Sequence, residues 1–404
     1  MFVVQDGGMH PDVLPGRPTT DAAPAPTPDK PALARIWRYG ARPLGGRTNG
    51  LNLIRLVLAA MVLFAHGFYL AGAGHGPMVN GEHMGGLAVM GFFAISGYLI
   101  TGSRLRKPLG SYLLLRVSRI FPAFLVCLVV TAGVFAPLAY VHTHRSLDGF
   151  ATTGTTPANF VFSNAALKMN AYDVAGTPSD VPFAQPDSWN MVSWNGSLWT
   201  LYYEFVCYLL IAVLVSVPLL RRSAWGAGVV LVVSVVAYAN VERLLPYFGG
   251  NNDLRMLLRL LPFFMAGAWL YMVRDKMALT WPVAVGAAVV AAGPAVLVTG
   301  WGPQLVSPLL AYVVLYLGAL IRSPRLVATH DISYGVYIYA WPAQQLLAIV
   351  GVHHLGLVVY DLAAVALTVP LAIASWLLVE RPILERAHKV TASVRPRLPQ
   401  PSLN

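Results

Sequence analysis

The chain has 404 residues, of which 56% are hydrophobic and only 11% charged, and its mean hydropathy is +0.61. These values lie far outside the range of soluble globular proteins and indicate a polytopic membrane protein. The formal net charge is +11. Because the basic residues flank apolar segments, this charge predicts membrane topology and contact with anionic lipids, and no nucleic acid partner.

The two ends of the chain are poor in apolar sequence. Residues 1–49 include the Pro-rich stretch Ala22 to Pro31 and contain no apolar core of a signal peptide, so they predict a flexible cytoplasmic tail. Residues 387–404 predict a second cytoplasmic tail. The membrane domain is expected between them, at 50–386.

Ten apolar runs of about 17 to 25 residues follow one another in this domain, and each is long enough to cross a bilayer as a helix. The predicted fold class is therefore an all-α transmembrane bundle of about ten spans. The predicted spans cover residues 52–72, 86–103, 113–137, 197–218, 224–242, 257–273, 280–299, 303–321, 333–350 and 357–379.

Basic residues collect before the first predicted span and after each even-numbered one. Cytoplasmic loops retain Lys and Arg, so both termini are expected in the cytoplasm. The intervening loops are nearly free of these residues. The longest of them, 138–196, is expected outside, and loops of this length act as lids, binding segments or disordered connections.

The first predicted span contains two ionisable residues, Arg55 and His66. Such groups are costly at membrane depth and are kept where they face a protein interior or a watery cavity, usually for function. Eleven helical steps return to within roughly 20° of the starting face and separate the two groups by about 16 Å along the helix. One face is thus expected to carry a guanidinium near one side of the membrane and an imidazole well inside it.

Glu204 in the fourth predicted span is expected at nearly the same depth as His66. A carboxylate beside an imidazole orients it and raises its basicity, as a general base acting on an alcohol requires. The alternative is a structural polar pair between two helices. Arg259 in the sixth span is expected at a similar level, where it could hold a carbonyl, an acidic acceptor group or Glu204 itself.

Arg116 and Arg119 open the third predicted span on the side of Arg55. Guanidinium groups suit phosphate oxygens, so this cluster predicts a phosphate site. Arg116 could equally extend to the lipid headgroups. Ser96 precedes Gly97 in the second span, where close helix packing is a better interpretation than a nucleophile.

Trp194 lies at the end of the long loop, where an interfacial aromatic belt is a better interpretation than sugar stacking. No metal site is predicted, because the exposed histidine pairs lack a third ligand. These pairs are His142 with His144 and His353 with His354.

Ordered motifs run from Asn52 to Pro382. They are Arg55 and His66 separated by ten residues, Phe92 to Gly97, Arg116 to Pro122 in the form Arg-x-x-Arg-Ile-x-Pro, Ser197-Leu198 with Glu204, Arg259 ahead of Gly267, Ser333-Tyr334 with Tyr337, and Glu380-Arg381-Pro382. In this order the chain resembles acyltransferase family 3, the polytopic membrane O-acyltransferases of bacterial surface polysaccharides, nodulation factors and some antibiotics. One departure is Ala340 before Trp341-Pro342, where many members carry a histidine.

The resemblance implies transfer of an acyl group, by default acetyl, from cytoplasmic acyl-CoA to a hydroxyl of a glycan or glycolipid at the outer face of a bacterial cytoplasmic membrane. His66 is expected to be the general base, with a transient acyl-histidine as a second possibility, and no metal is expected. The other expected site residues are Glu204 as catalytic partner, Arg55, Arg116 and Arg119 on the CoA phosphates, and Arg259, Ser96, Tyr337 and Trp194 at the substrate.

Two alternatives follow from the same residues. The acyl group could pass to a separate extracytoplasmic protein, since the chain continues for only about twenty-five residues after the last predicted span. A transporter or flippase could instead use the buried charges as a substrate or proton pathway. The absence of evident inverted repeats argues against transport.

Overall fold

The computed structural model describes residue 44 and residues 49–185, 191–221 and 223–393. Nearly all of the predicted N-terminal tail and residues 394–404 of the C-terminal tail lie outside the described residues. Residues 387–393 are helical, so the last helix extends beyond the predicted boundary at 386.

The first half of the described chain is helical apart from one short hairpin, with β1 (Met78–Val79) antiparallel to β2 (Glu82–His83). Its helices are α1 (Leu51–Leu70), α2 (Met84–Arg106), α3 (Leu109–Val130), α4 (Ala136–His144), α5 (Pro157–Asn164), α6 (Thr200–Ser216) and α7 (Pro218–Arg221). A π-helical turn at Thr131–Phe135 joins α3 to α4, and a 3₁₀ turn lies at Pro182–Ala184.

The second half is also helical. Its helices are α8 (Ala224–Ala239), α9 (Val241–Leu244), α10 (Asn252–Val273), α11 (Trp281–Leu297), α12 (Gly302–Leu305), α13 (Ser307–Leu320), α14 (Arg325–Thr329), α15 (Ser333–Ile349), α16 (Leu357–Ser375) and α17 (Arg381–Ser393). The short turns are 3₁₀ at Leu245–Phe248 and Val352–Leu355 and π-helical at Trp376–Glu380.

The predicted all-α, multi-pass membrane architecture is confirmed. Six helical segments of the described chain are long and apolar enough to cross a membrane, and a seventh arises if Ala224–Ala239 and Val241–Phe248, bent by 79°, form one span. Two shorter apolar helices, Trp281–Leu297 and Ser307–Leu320, add to these. The count of ten spans and the cytoplasmic termini stay predictions.

The predicted loop at 138–196 begins later than expected. Helix α3 continues through the π turn and α4 to His144 as one 36-residue apolar segment. It ends at Arg145, whose left-handed backbone (φ 61°) terminates the helix. The predicted third span ends at residue 137, yet the helix continues through residue 144.

Helices α2 and α10 pack backbone against backbone. A Cβ at Gly97 would overlap the Phe264 carbonyl oxygen, and a Cβ at Gly267 would overlap that of Ala94. Glycine at both positions therefore permits the close approach, as small residues do between membrane helices. The packing interpretation of the Ser96-Gly97 pair extends to a partner, Gly267, on α10.

Helix α1 packs against α2, α13, α15 and α16. The hairpin end is defined by β1, β2 and residues 145–185 and 191–199, together with the starts of α6 and α10. The arginine end is defined by Arg55, Arg119 and Asp331. Two candidate sites follow, one at each end of α1.

Candidate active site

His66 lies one turn before the end of α1 and is only 7% exposed. Its ring meets the edge of Trp341 at a centroid distance of 4.7 Å, and Nδ1 is buried without a hydrogen-bond partner in the described chain. Nε2 lies beside Gly85, which lines the same cavity as His66. The imidazole is thus held by packing, with its Nε2 edge toward the cavity.

This His66 cavity has a volume of about 350 Å³ and lies at the hairpin end. Its walls come from α1, β2, the start of α2, residues 168–183 and 191–199, and the starts of α6 and α10, with Trp341 and Tyr337 from α15. The volume is within the range of small-molecule sites, about 300–1,000 Å³. A substrate group of modest size can therefore reach the imidazole.

Glu204 lies in a second cavity, of about 40 Å³, together with Arg55. Its carboxylate accepts hydrogen bonds from Ser96 Oγ at 2.6 Å and Tyr208 Oη at 2.7 Å. The expected contact with His66 is absent: no hydrogen bond joins the two side chains in the described structure. The sequence placed Glu204 at a depth similar to that of His66, but depth does not determine the direction of a side chain. The Glu204 carboxylate faces Ser96 on α2.

Three residues line both cavities: Val89, Thr200 and Tyr337. The hydroxyl oxygens of Thr200 and Tyr337 are 2.5 Å apart, and Tyr337 also donates to the Ser197 carbonyl at 2.8 Å. This hydrogen-bonded pair separates His66 from Glu204. Tyr337, expected at the substrate, therefore stands at the junction of the two cavities.

At the arginine end, Asp331 pairs with Arg55 at 2.5 Å and with Arg119 at 2.7 Å. Arg119 also reaches Glu380 at 3.4 Å, and the Glu380 side chain is 1% exposed. Burial raises the pKa of Asp331, but the two guanidinium groups lower it by a larger amount. The resulting pKa is about 2. Two of the predicted phosphate ligands are therefore already compensated by carboxylates.

Sequence reasoning missed both carboxylates as partners of the arginines. Asp331 lies two residues before the Ser333-Tyr334 motif, and Glu380 belongs to the Glu-Arg-Pro motif, but neither had a role assigned. Acidic residues are rare beside basic ones at the end of an apolar span. This rarity is the feature of the sequence that could have identified both carboxylates as partners.

Arg116 differs from the other two arginines. No ion pair joins it to another described residue, and its Cζ lies 6.0 Å from the ring centre of Tyr208. Its Nε is buried without a hydrogen-bond partner in the described chain. Among the three arginines of the described cluster, Arg116 is therefore the one that no carboxylate compensates.

Arg259 lines the His66 cavity and forms a two-point ion pair with Glu82, in which Nε donates to Oε1 at 2.9 Å and Nη2 pairs with Oε2. Of the partners that the sequence left open for Arg259, Glu204 is not the one it contacts in the described structure, because the guanidinium pairs with Glu82 on β2. Burial and this guanidinium hold the pKa of the neighbouring His83 below its usual range.

Trp194 is fully buried, and its Nε1 donates to Thr177 Oγ1 at 3.1 Å. It lines neither cavity. Neither the interfacial belt nor sugar stacking describes it, since the indole is fully buried and bonded to Thr177. Trp199, five residues later, lines the His66 cavity instead.

In the described part of the chain, no three His, Cys, Asp or Glu side chains are grouped so that they could hold a metal ion. The two cavities present an imidazole, carboxylates, hydroxyls and guanidinium groups.

Two relatives align along nearly their whole length. An O-acetyl transferase of Shigella phage Sf6 is 27% identical over 365 residues, covering 84% of this chain and 97% of the relative. Nodulation protein 10 of Rhizobium leguminosarum bv. viciae is 28% identical over 374 residues, covering 86% and 96%. No solved structure matches significantly.

The acyltransferase domain family matches residues 48–377, which include both cavities, the hairpin and the arginine cluster. A match over most of the chain, with the motif order noted above, confirms the resemblance. The chain belongs to this family of membrane acyltransferases, acyltransferase family 3, and is an O-acetyltransferase-like enzyme.

Proposed function

We propose that the protein transfers an acetyl group from acetyl-CoA to a hydroxyl of a glycan or glycolipid, with His66 as general base. The observation that supports this most directly is the buried imidazole at the wall of a cavity open at the hairpin end. The relative named O-acetyl transferase supports the acetyl group and the oxygen acceptor.

In the proposed step, His66 removes the proton of the acceptor hydroxyl through Nε2 while the hydroxyl oxygen attacks the thioester carbonyl. The C–O bond forms, the C–S bond breaks, and the thiolate of CoA takes up the proton from the imidazolium. A positioned base contributes about 10²–10⁴-fold to such a transfer. An acyl-histidine is the second form that this step could take.

The donor is proposed to enter from the arginine end, which we infer to be cytoplasmic in a bacterial cytoplasmic membrane. Arg55, Arg116 and Arg119 bring three positive charges, against the carboxylates of Asp331 and Glu380. Arg116 forms no ion pair in the described structure and is the guanidinium proposed for a phosphate of CoA. The pantetheine arm would pass the Thr200–Tyr337 junction to bring the thioester to His66.

The acceptor is proposed to enter from the hairpin end, which we infer to face outward. Membrane lipids surround the apolar helices, and the acceptor is either a lipid-linked or a free surface glycan. Transfer to a separate extracytoplasmic protein is the alternative route for the acyl group.

The test uses purified protein in lipid nanodiscs with radiolabelled acetyl-CoA and glycolipid extracted from host cells lacking the protein. We expect label in the glycolipid and release of free CoA. His66→Ala should lower transfer by at least about 10²-fold, while His142→Ala, at an exposed position on α4, should not change it. Full transfer by His66→Ala would exclude the base, and no CoA release by the wild type would favour a transporter.

A further inference from the structure

Aromatic side chains that the sequence did not mark as functional line one wall of the His66 cavity. Trp199 and Tyr203 lie 5.7 Å apart between ring centres, and Tyr202 lies 5.2 Å from Tyr203. Tyr172 lines the same cavity and is 39% exposed. Partly exposed aromatic faces in a cavity present an apolar surface with a negative electrostatic face.

Next to this wall lies a compact polar group. Asp253 accepts a hydrogen bond from Lys168 Nζ at 2.5 Å and another from Tyr203 Oη at 3.0 Å. The Lys168 ammonium also lies 6.0 Å from the ring centre of Tyr202. The hydrogen bond to Asp253 raises the pKa of Lys168. Donor and acceptor are thus fixed side by side against the aromatic wall.

The charges at the described wall of the cavity cancel in pairs. Lys168 is matched by Asp253, and Arg259 is matched by Glu82. An anionic ligand would find no unpaired cation among these residues and would have to compete with a carboxylate for each one. A neutral ligand that carries hydroxyl groups can instead share the existing donors and acceptors.

We propose that this wall is the acceptor subsite and that it binds a neutral sugar residue. A sugar ring stacks one C–H face on Trp199, while its hydroxyls bond to Lys168 and Asp253. This assignment rests on the proposed function, because His66 must act on a hydroxyl in the same cavity. Beyond the proposed function, it names the residues that hold the acceptor. It also specifies that the acetylated sugar is uncharged.

The first test measures the Michaelis constants of Trp199→Ala and Lys168→Met with extracted glycolipid. We expect KM for the glycolipid to rise about tenfold, which corresponds to ~1.4 kcal/mol of lost binding, while KM for acetyl-CoA stays unchanged. Trp199→Phe should recover part of the loss. The matched controls are Trp225→Ala and Lys276→Met, at exposed positions outside the cavity, and both should behave as wild type.

The second test identifies the acetylated residue. Labelled glycolipid from the wild-type reaction is cleaved with mild acid, and the glycan fragments are analysed by mass spectrometry. We expect acetyl on a sugar without a carboxylate or phosphate group. Acetyl on an acidic sugar, or unchanged glycolipid KM in Trp199→Ala and Lys168→Met, would overturn the subsite while leaving the His66 mechanism intact. If the wild-type protein shows no transfer at all, the result would instead contradict the proposed function.

Discussion

Arg55 and Asp331 are 276 residues apart in the chain, yet Arg55 Nη1 donates to Asp331 Oδ2 at 2.5 Å. The pair joins the first turn and a half of α1 to Asp331, two residues before α15. The same carboxylate also accepts from Arg119 on α3. Asp331 therefore ties three helices together at the arginine end, independently of any donor bound there.

Asp331→Asn is expected to destabilise the protein more than loss of any one of the arginines. The substitution leaves two guanidinium groups with less compensation in a largely buried site, and removing one member of a buried ion pair costs ~3–5 kcal/mol. Thermal unfolding in detergent should show a lower Tm. Asp275→Asn, whose exposed carboxylate pairs only with its neighbour Arg274, is the control and should change Tm little.

The same carboxylate predicts a pH dependence. Its pKa of about 2 lies below the usual 3.8, so its contribution to stability is complete above the usual value and is lost as pH falls through the lowered one. The wild-type Tm should therefore fall steeply between about pH 4 and pH 2. Asp331→Asn should lack this part of the decline, and an unchanged profile would contradict the ion pair.

The packing of α2 on α10 gives a second prediction. Gly97→Ala and Gly267→Ala each place a methyl group on a backbone carbonyl of the facing helix, and overpacking of this kind costs typically ~1–3 kcal/mol. Gly286→Ala on α11 is the matched control, because no atom lies within 4 Å of its added methyl group. It should be neutral or slightly stabilising. Equal Tm values for all three variants would contradict the close approach.

Much of the architecture could be predicted from local pattern. Apolar length predicted membrane helices, and the spacing of Arg55 and His66 predicted two functional ends of one helix. Both residues do lie on α1, one near each end. These features follow from helix periodicity, which neighbouring residues determine.

The partners of the charged groups could not be predicted in the same way. Depth along a helix is readable from residue number, but the direction of a side chain depends on how the helix rotates against its neighbours. Glu204 was expected toward His66 and faces Ser96. For Arg259 the sequence left a carbonyl, an acidic acceptor group or Glu204 open, and the side chain binds Glu82. The partners of Arg55 and Arg119 come from segments far away in the chain.

The sidedness of the membrane domain stays a prediction and can be tested with introduced cysteines. Thr153→Cys at the hairpin end should react with an impermeant thiol reagent added to intact cells, and Thr329→Cys at the arginine end should react only after permeabilisation. Both positions are exposed, whereas Ser103 and Ser323 are buried and unsuitable for labelling. Background should be low, because Cys127 and Cys207 are buried. The reverse pattern would invert the topology.

The last prediction concerns Glu204, which contacts Ser96 and not His66. If the carboxylate acts through the hydrogen bond from Ser96, the effects of Ser96→Ala and Glu204→Gln on stability and on transfer should be strongly non-additive, with a coupling of ~0.5–3 kcal/mol. His66→Ala and Glu204→Gln should combine additively in stability, since no hydrogen bond joins them.

The control pair is Tyr208→Phe with Ser96→Ala. Tyr208 Oη also donates to Glu204, from within α6, so this pair measures how far the carboxylate transmits effects between its two donors. Coupling between His66 and Glu204 in both Tm and kcat, with none between Ser96 and Glu204, would show that the helices rearrange during turnover. It would also restore Glu204 as the carboxylate that orients the base.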